Sequence, residues 1–290
     1  MKKEGDFSLM LEARVPSLDE PERNWFSLIR IAIFLGVSFA GIALIYGSLI
    51  FLLPDKAMSR FDAAFQGMTF FWLLCCALYF WGVVEKKTLP EMGFALKRTD
   101  LMAGISIGMC AILLLYGLGF VFNLISLAPL KSGLLPAFGG AFGLAIALTI
   151  LEEILFRGYL FQTLLSDMPH WLAAAIASFL FAQVHFLRQG NLQELLLPFL
   201  GFFLAGLSLC YATWLTGNLS LAMGLHFSWL FALSLFERLG IWSYPQPFLT
   251  GKGNPLTGFL GIVAVVVISA ALRYVYGSPS ISSGGARSGR

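Results

Sequence analysis

The sequence predicts an all-α membrane protein, a polytopic bundle of about eight transmembrane helices. Of its 290 residues, 58% are hydrophobic and only 12% are charged, whereas charged residues make up about a quarter of an average soluble protein. The hydrophobic residues form long runs separated by charge, proline and glycine, and about 20 apolar residues are enough for a helix to cross a bilayer. These two observations exclude an ordinary soluble domain.

The runs divide the chain into four regions. We predict a polar cytoplasmic segment at 1–24, membrane helices with a basic loop at 25–100, a core at 101–276 and a disordered tail rich in Ser and Gly at 277–290. The first segment lacks the short apolar stretch of a signal peptide, so the first helix should insert uncleaved. The eight predicted spans are residues 25–53, 65–84, 101–127, 137–165, 171–187, 195–216, 219–239 and 256–276.

Lysine and arginine in the short loops predict the orientation, because these residues are retained on the cytoplasmic side. With eight spans, one side receives Lys2, Lys3, Arg14, Arg23, Lys86, Lys87, Lys97, Arg98, Arg287 and Arg290. The other side receives Lys56, Arg60, Lys131, Arg188 and Lys252. We therefore expect a multi-pass protein of the cell membrane, namely a prokaryotic inner membrane, with both termini cytoplasmic. The charges form no basic patch, so nucleic acid is not an expected partner.

The fourth span carries three charges in the middle of an otherwise uncharged run: Glu152, Glu153 and Arg157. A charge at the centre of a membrane helix costs about 2.5 to 3.5 kcal/mol, so such residues indicate function. Glu153 and Arg157 are four residues apart and share a helix face, which allows one acid to be neutralised while the other works. The spacing leaves open which acid is free, and a structural ion cluster between helices is the alternative.

Two of the three histidines lie inside later spans. His185 and Glu152 are each 14 residues from the turn between their helices, so we expect both at a depth of about 21 Å. His226 follows the start of its span by only seven residues. It therefore reaches the depth of Glu152 and His185 only if its helix begins deeper in the membrane or tilts. His170 lies in a loop beside Trp171 and is interpreted as an interfacial residue.

A carboxylate and two imidazoles on separate helices favour hydrolysis of an amide, by one of two routes. In the first, Glu152, His185 and His226 hold a divalent metal such as Zn²⁺, which makes a bound water nucleophilic. In the second, no metal is needed: a glutamate is the general base on water, and a histidine orients that water or donates to the oxyanion. The sequence contains no HExxH, which excludes the single-helix zinc motif.

Three segments resemble the motifs of one family. Residues 152–158, EEILFRG, resemble the EExxxRG motif of the CAAX-processing and bacteriocin-processing intramembrane proteases, the CPBP or ABI family that includes CAAX prenyl protease 2. Residues 181–185, FAQVH, resemble the second motif, FxxxH. Residues 217–226, GNLSLAMGLH, resemble the segment leading into the third, HxxxN. The resemblance covers about 101–239.

The resemblance implies an eight-helix bundle with a cavity open to lipid and cytosol, and a protease core within 101–276. It implies that Glu152 is the general base on water, Glu153 and Arg157 are its supporting pair, His185 orients the water, and His226 is part of the oxyanion site. The expected partners are the lipid bilayer and a membrane-associated or lipidated peptide or protein substrate. Eukaryotic members trim prenylated CaaX ends. The metal requirement of the family is unsettled, which leaves both routes open.

The third motif departs from the family pattern at Leu230, four residues after His226, where an amide side chain is expected. Leucine cannot donate a hydrogen bond to an oxyanion, and losing one such donor costs about 2.7 to 4 kcal/mol. Ser228 projects to a different face of the helix and is a poor substitute. Beside an intramembrane endopeptidase we therefore keep two hypotheses: a weakened or inactive relative that acts as a membrane binding or immunity protein, and a proton-coupled transporter.

Overall fold

A computed structural model describes residues 26–52, 58–186 and 196–277. The polar segment predicted at 1–24 and the tail predicted from 278 onward lie outside these ranges, so the predicted position of both termini stays a prediction. The described helices are α1 (Phe26–Leu52), α2 (Met58–Tyr79), α3 (Arg98–Val121), α4 (Leu134–Glu152), α5 (Phe161–Leu165), α6 (His170–Phe186), α7 (Leu196–Thr216), α8 (Ser220–Leu239), α9 (Pro247–Thr250) and α10 (Phe259–Tyr276). A π-helix, Phe80–Val84, continues α2, and a second, Glu153–Leu160, joins α4 to α5.

The predicted all-α membrane bundle is confirmed. Within the described ranges, seven helical stretches are long and apolar enough to cross a membrane, and each coincides with a predicted span. The remaining predicted span corresponds to α6, which has 17 residues and is about 25 Å long. The chain is therefore a multi-pass membrane protein.

The third span ends earlier than the sequence predicts, so its predicted end at 127 is wrong. Helix α3 stops at Val121, and Asn123 adopts a left-handed backbone with φ of 56°, a conformation that commonly follows a helix end. Residues Ser126–Leu127 form strand β1, which pairs antiparallel with strand β2, Trp242–Ser243. Apolarity does not distinguish a short strand from a last helical turn, because the pairing partner lies more than a hundred residues away.

Helices α3 and α8 approach closely because glycines face each other between them. A Cβ built on Gly104 would lie 3.0 Å from the Cα of Gly224, and one built on Gly224 would lie 2.9 Å from the Cα of Gly104. Small residues let membrane helices bring their backbones together. The two helices run in the same direction, since the Lys97 N–H before α3 donates to Ser220 Oγ at the start of α8 at 2.7 Å.

The loop between α2 and α3 covers the start of α8. Gly93 O accepts a hydrogen bond from the Leu219 N–H at 2.9 Å. Met92 is fully buried, and its Cγ lies 2.7 Å from where Gly158 would carry a Cβ. Ser220 is also fully buried. Helix α8 therefore begins inside the protein, beneath the polar loop, instead of at its level.

Helix α4 packs antiparallel against α8. Near the start of α4, a Cβ on Gly140 would lie 2.7 Å from Nη1 of Arg238, at the end of α8. Further along α4, the ring of Phe142 lies 5.7 Å from that of Phe227, nearer the start of α8. As α4 advances, its neighbours on α8 thus move back towards the start of that helix. This register brings the end of α4 to the first half of α8.

An ionic contact attaches α1 to the rest of the bundle at one end. Arg30 Nη1 lies 2.6 Å from Glu85 Oε2, and the Ser27 N–H donates to Asp167 Oδ2 at 2.7 Å. Desolvation raises the pKa of Asp167, but hydrogen bonds from Ser27 and Ser166 and the charge of Arg30 outweigh it and hold the pKa below its usual value. The contact fixes α1 beside the turn that follows α5.

We predict that Gly104→Ala lowers the thermal stability of the purified protein in detergent. The new methyl group would press on the backbone of α8, and overpacking of this kind costs about 1 to 3 kcal/mol. Gly117→Ala in the same helix is the control, because a Cβ there meets nothing within 4 Å and alanine is the better helix former. An unfolding temperature for Gly104→Ala equal to that of Gly117→Ala would contradict the close approach.

Candidate active site

Glu153 lies in a fully buried ion pair. Its Oε1 accepts a hydrogen bond from Arg157 Nη1 at 3.0 Å and lies 2.6 Å from His226 Nδ1. Arg157 also donates from Nη2 to Gly206 O on α7, at 3.4 Å, and its guanidinium lies 4.4 Å from the centre of the Phe181 ring. Glu153 and Arg157 are both 0% exposed. These contacts engage Glu153 and leave its neighbour as the acid outside the pair.

Glu152 has a different environment. Its Oε2 lies 3.6 Å from His226 Nε2 and 3.9 Å from His185 Nε2, distances longer than a hydrogen bond. Among the described residues Oε2 has no hydrogen-bond partner, and 15% of the side chain is exposed. The two adjacent acids, which the sequence alone could not tell apart, thus differ in their contacts: one is paired and the other faces two imidazoles.

Hydrogen bonds fix the orientation of both imidazole rings. His185 Nδ1 lies 2.9 Å from Phe181 O, and because a carbonyl only accepts, Nδ1 carries a proton. His226 Nδ1 donates to the Glu153 carboxylate, because an ionised carboxylate also only accepts hydrogen bonds. The His185 ring also stacks on Phe202 of α7, with centroids 4.4 Å apart. In the neutral rings, both Nε2 atoms therefore present a lone pair towards Glu152.

The structure brings all five predicted site residues together. His185 reaches Glu152 as the equal distances from the turn predict. His226 also reaches it, because α8 begins beneath the loop, which is the condition that the sequence left open. His170 lies apart from the cluster and stacks on Trp214, with centroids 4.2 Å apart and planes at 7°.

Position 230 adds no hydrogen-bond donor to the cluster. Leu230 is half-buried. Ser228 donates to Leu225 O at 2.8 Å, and its Oγ contacts the position where Gly108 of α3 would carry a Cβ. Ser228 thus faces α3, as the helix periodicity predicts, and does not replace the missing amide.

A cavity of about 250 Å³ opens beside Glu152. Its walls come from α1, α2, α4, the π-helix and α6, with residues such as Phe34, Ile42 and Leu73 on one side and Glu152 and His185 on the other. Most of the lining side chains are apolar. Glu152 therefore lies at the edge of a mostly apolar space.

The π-helix Glu153–Leu160 is a feature that the sequence gave no signal for. All eight of its residues are buried, and π-helical turns are rare and occur frequently at functional sites. The turn contains Glu153 and Arg157 and begins directly after Glu152. The widened turn thus contains the Glu153–Arg157 ion pair and directly follows Glu152.

No group of three or more His, Cys, Asp or Glu side chains within the described ranges has the arrangement of a metal site. The hydrogen bonds of both Nδ1 atoms nevertheless match those of metal-binding histidines, whose second nitrogen is usually held by a carbonyl or a carboxylate. The metal ligation predicted for Glu152, His185 and His226 stays a prediction.

Comparison with known families identifies the segment that holds the cluster. Residues 134–232 match the family model for type II CAAX prenyl endopeptidases, Rce1-like. Over this segment, the chain is similar to that family. No match was found among curated proteins or among solved structures.

The Rce1-like core, defined here as residues 134–232, covers about a third of the chain. It contains Glu152, Glu153, Arg157, His185 and His226, so the family match agrees with the resemblance drawn from the motifs. Helices α1 and α2 lie outside the Rce1-like core and still form one side of the cavity.

We predict that Glu153→Gln lowers the unfolding temperature much more than Glu152→Gln does. Removing one charge of a buried pair strands the other, here Arg157, at a cost of about 3 to 5 kcal/mol. Glu152 has no such partner, so its amide variant should change stability by less than about 1 kcal/mol. Thermal unfolding in detergent measures both.

The double variant Glu153→Gln/Arg157→Met is the control. It removes both charges and should recover much of the lost stability, because no charge is left uncompensated. Equal unfolding temperatures for Glu153→Gln and Glu152→Gln would show that the ion pair does not matter to the fold.

Proposed function

We propose that this protein is an intramembrane endopeptidase that hydrolyses a peptide bond of a membrane-associated substrate with a water activated by Glu152. The observation that carries the proposal is the unequal environment of the two acids. Glu153 is held by Arg157 and His226, whereas Glu152 faces the Nε2 atoms of His185 and His226 at the edge of a cavity. The match to an endopeptidase family supports it.

In the proposed reaction, Glu152 takes a proton from water as the water oxygen bonds to the carbonyl carbon of the scissile peptide. The carbonyl oxygen becomes an oxyanion. When the C–N bond breaks, the proton on Glu152 passes to the leaving nitrogen. His185 accepts a hydrogen bond from the same water at Nε2 and orients it. A positioned general base contributes a factor of about 10² to 10⁴.

His226 is assigned to the oxyanion side of the site. Its Nδ1–H is bonded to Glu153, so a carboxylate compensates the charge of an imidazolium; in this proposal His226 enters the reaction with both ring nitrogens protonated and keeps both protons throughout. In that state the Nε2–H donates to the oxyanion. Glu153 and Arg157 then act through His226 as positioning residues and touch no substrate.

The cavity supports a substrate whose membrane portion is apolar. It lies between α1, α2, α4 and α6, all of which have side chains exposed at the outside of the bundle. A lipidated or membrane-embedded peptide can reach Glu152 through this space without crossing the polar loops. We propose substrates of this class.

A divalent metal such as Zn²⁺ at Glu152, His185 and His226 is a separate proposal, tested by metal analysis of the purified protein.

Leu230 favours a second candidate, a family member that binds such partners without cleaving them. An oxyanion that lacks one donor is formed about 100-fold more slowly or worse where this has been measured. The two candidates differ in one respect: binding alone does not need Glu152 as a base.

We predict that Glu152→Gln abolishes cleavage, with kcat falling at least about 100-fold, while membrane insertion is unchanged. The full chain is reconstituted in proteoliposomes and assayed on a peptide panel with and without a C-terminal lipid. Glu237→Gln is the control, because Glu237 is exposed near the end of α8 and should keep full activity. Cleavage by Glu152→Gln at the wild-type rate would refute the proposal. Binding of lipidated peptides without cleavage by any variant would favour the second candidate.

A further inference from the structure

Thr149 is a buried hydroxyl one helical turn before the acid pair. It is 3% exposed, and its Oγ1 has no hydrogen-bond partner among the described residues. Hydroxyls inside helices usually donate to a carbonyl one turn back. In this chain Thr213 donates to Leu209 O and Thr216 to Ala212 O, both at 3.0 Å. A buried hydroxyl that makes no such bond calls for an explanation.

The helix register places this hydroxyl level with the position of the missing amide. Thr149 is four residues before Glu153, so the two share a face of α4. His226 of α8 lies opposite Glu153, at 2.6 Å. Because α4 and α8 are antiparallel, one turn back on α4 corresponds to one turn forward on α8, which leads from His226 to Leu230. Thr149 and Leu230 therefore occupy the same level, on facing helices.

Apart from the His226 Nε2–H already assigned to the oxyanion, the imidazole and guanidinium donors beside Glu152 are directed elsewhere. His185 Nδ1–H bonds to Phe181 O and His226 Nδ1–H bonds to Glu153. Arg157 is fully buried and bonded to Glu153. A tetrahedral oxyanion needs donors positioned at the oxygen where charge develops. On α4, the Thr149 hydroxyl has no hydrogen-bond partner among the described residues. The hydroxyls of Ser38 and Thr69 line the cavity from α1 and α2, away from the acid-bearing helix.

We infer that Thr149 is a catalytic residue whose Oγ1–H donates to the oxyanion, taking the place that Leu230 leaves empty. The inference rests on the proposed endopeptidase function. The hydroxyl keeps its proton throughout, so no bond to Thr149 forms or breaks. Its hydrogen bond becomes available to the substrate because the hydroxyl does not give it to the backbone. The departure at Leu230 and the unpaired hydroxyl then have a single explanation.

The test compares Thr149→Val, which keeps the shape and removes the hydroxyl, with Thr149→Ser, which keeps the hydroxyl. We expect kcat of Thr149→Val to fall about 100-fold with KM little changed, and Thr149→Ser to stay within about fivefold of the wild type. The unfolding temperature of Thr149→Val should stay equal or rise, because an unpaired buried polar atom is removed. A purely structural role would lower stability and kcat together.

Leu230→Asn gives an independent check in the same assay. It restores an amide at the level of Thr149 and should raise kcat, and in that background Thr149→Val should cost less than about tenfold, because two donors to one oxygen are not additive. Wild-type kcat for Thr149→Val, with Glu152→Gln inactive, would overturn this inference alone and leave the endopeptidase proposal standing. Absence of cleavage by the wild type and by Leu230→Asn would overturn both.

Discussion

The buried ion pair between Glu153 and Arg157 is the constraint on which the rest of the structure depends. In an apolar bundle, each charge must be paired and hydrogen-bonded or it destabilises the fold. The two charges neutralise each other and bond to groups from two other helices, Gly206 O on α7 and His226 on α8, although Glu153 Oε2 and Arg157 Nε have no partner among the described residues. The contacts that neutralise the charges are thus the same contacts that fix one imidazole beside Glu152. The same hydrogen bonds therefore compensate the buried charges and set the geometry of the site.

The position of α8 links the site to contacts far from it. Gly104 and Gly224 bring α3 and α8 together, and the loop at Gly93 bonds to the residue before α8. Both contacts set the depth at which α8 begins, and a helix rises a fixed 1.5 Å per residue. The depth of His226 is therefore determined at the start of its helix. Two buried residues of this otherwise largely exposed loop, Met92 and Gly93, thus hold the start of α8 in place.

The sequence predicts those parts of the site that depend on one helix or on a fixed rise. Charges in an apolar run marked the acid pair, and equal distances from a turn placed His185 beside Glu152. It could not predict the depth of His226, the π-helix or the end of α3, because each depends on packing against a distant segment. The sequence also gives no indication that the Thr149 hydroxyl lacks a hydrogen bond, because a threonine in an apolar run is the same letter whether or not its hydroxyl has a partner.

The cavity beside Glu152 is built from two sources. One side belongs to the Rce1-like core, and the other comes from α1 and α2, which lie outside the family match. Helix α1 is attached through polar contacts at one end, where Arg30 meets Glu85. Exchange of apolar side chains on these two helices would therefore reshape the cavity without changing any of the five residues clustered around Glu152.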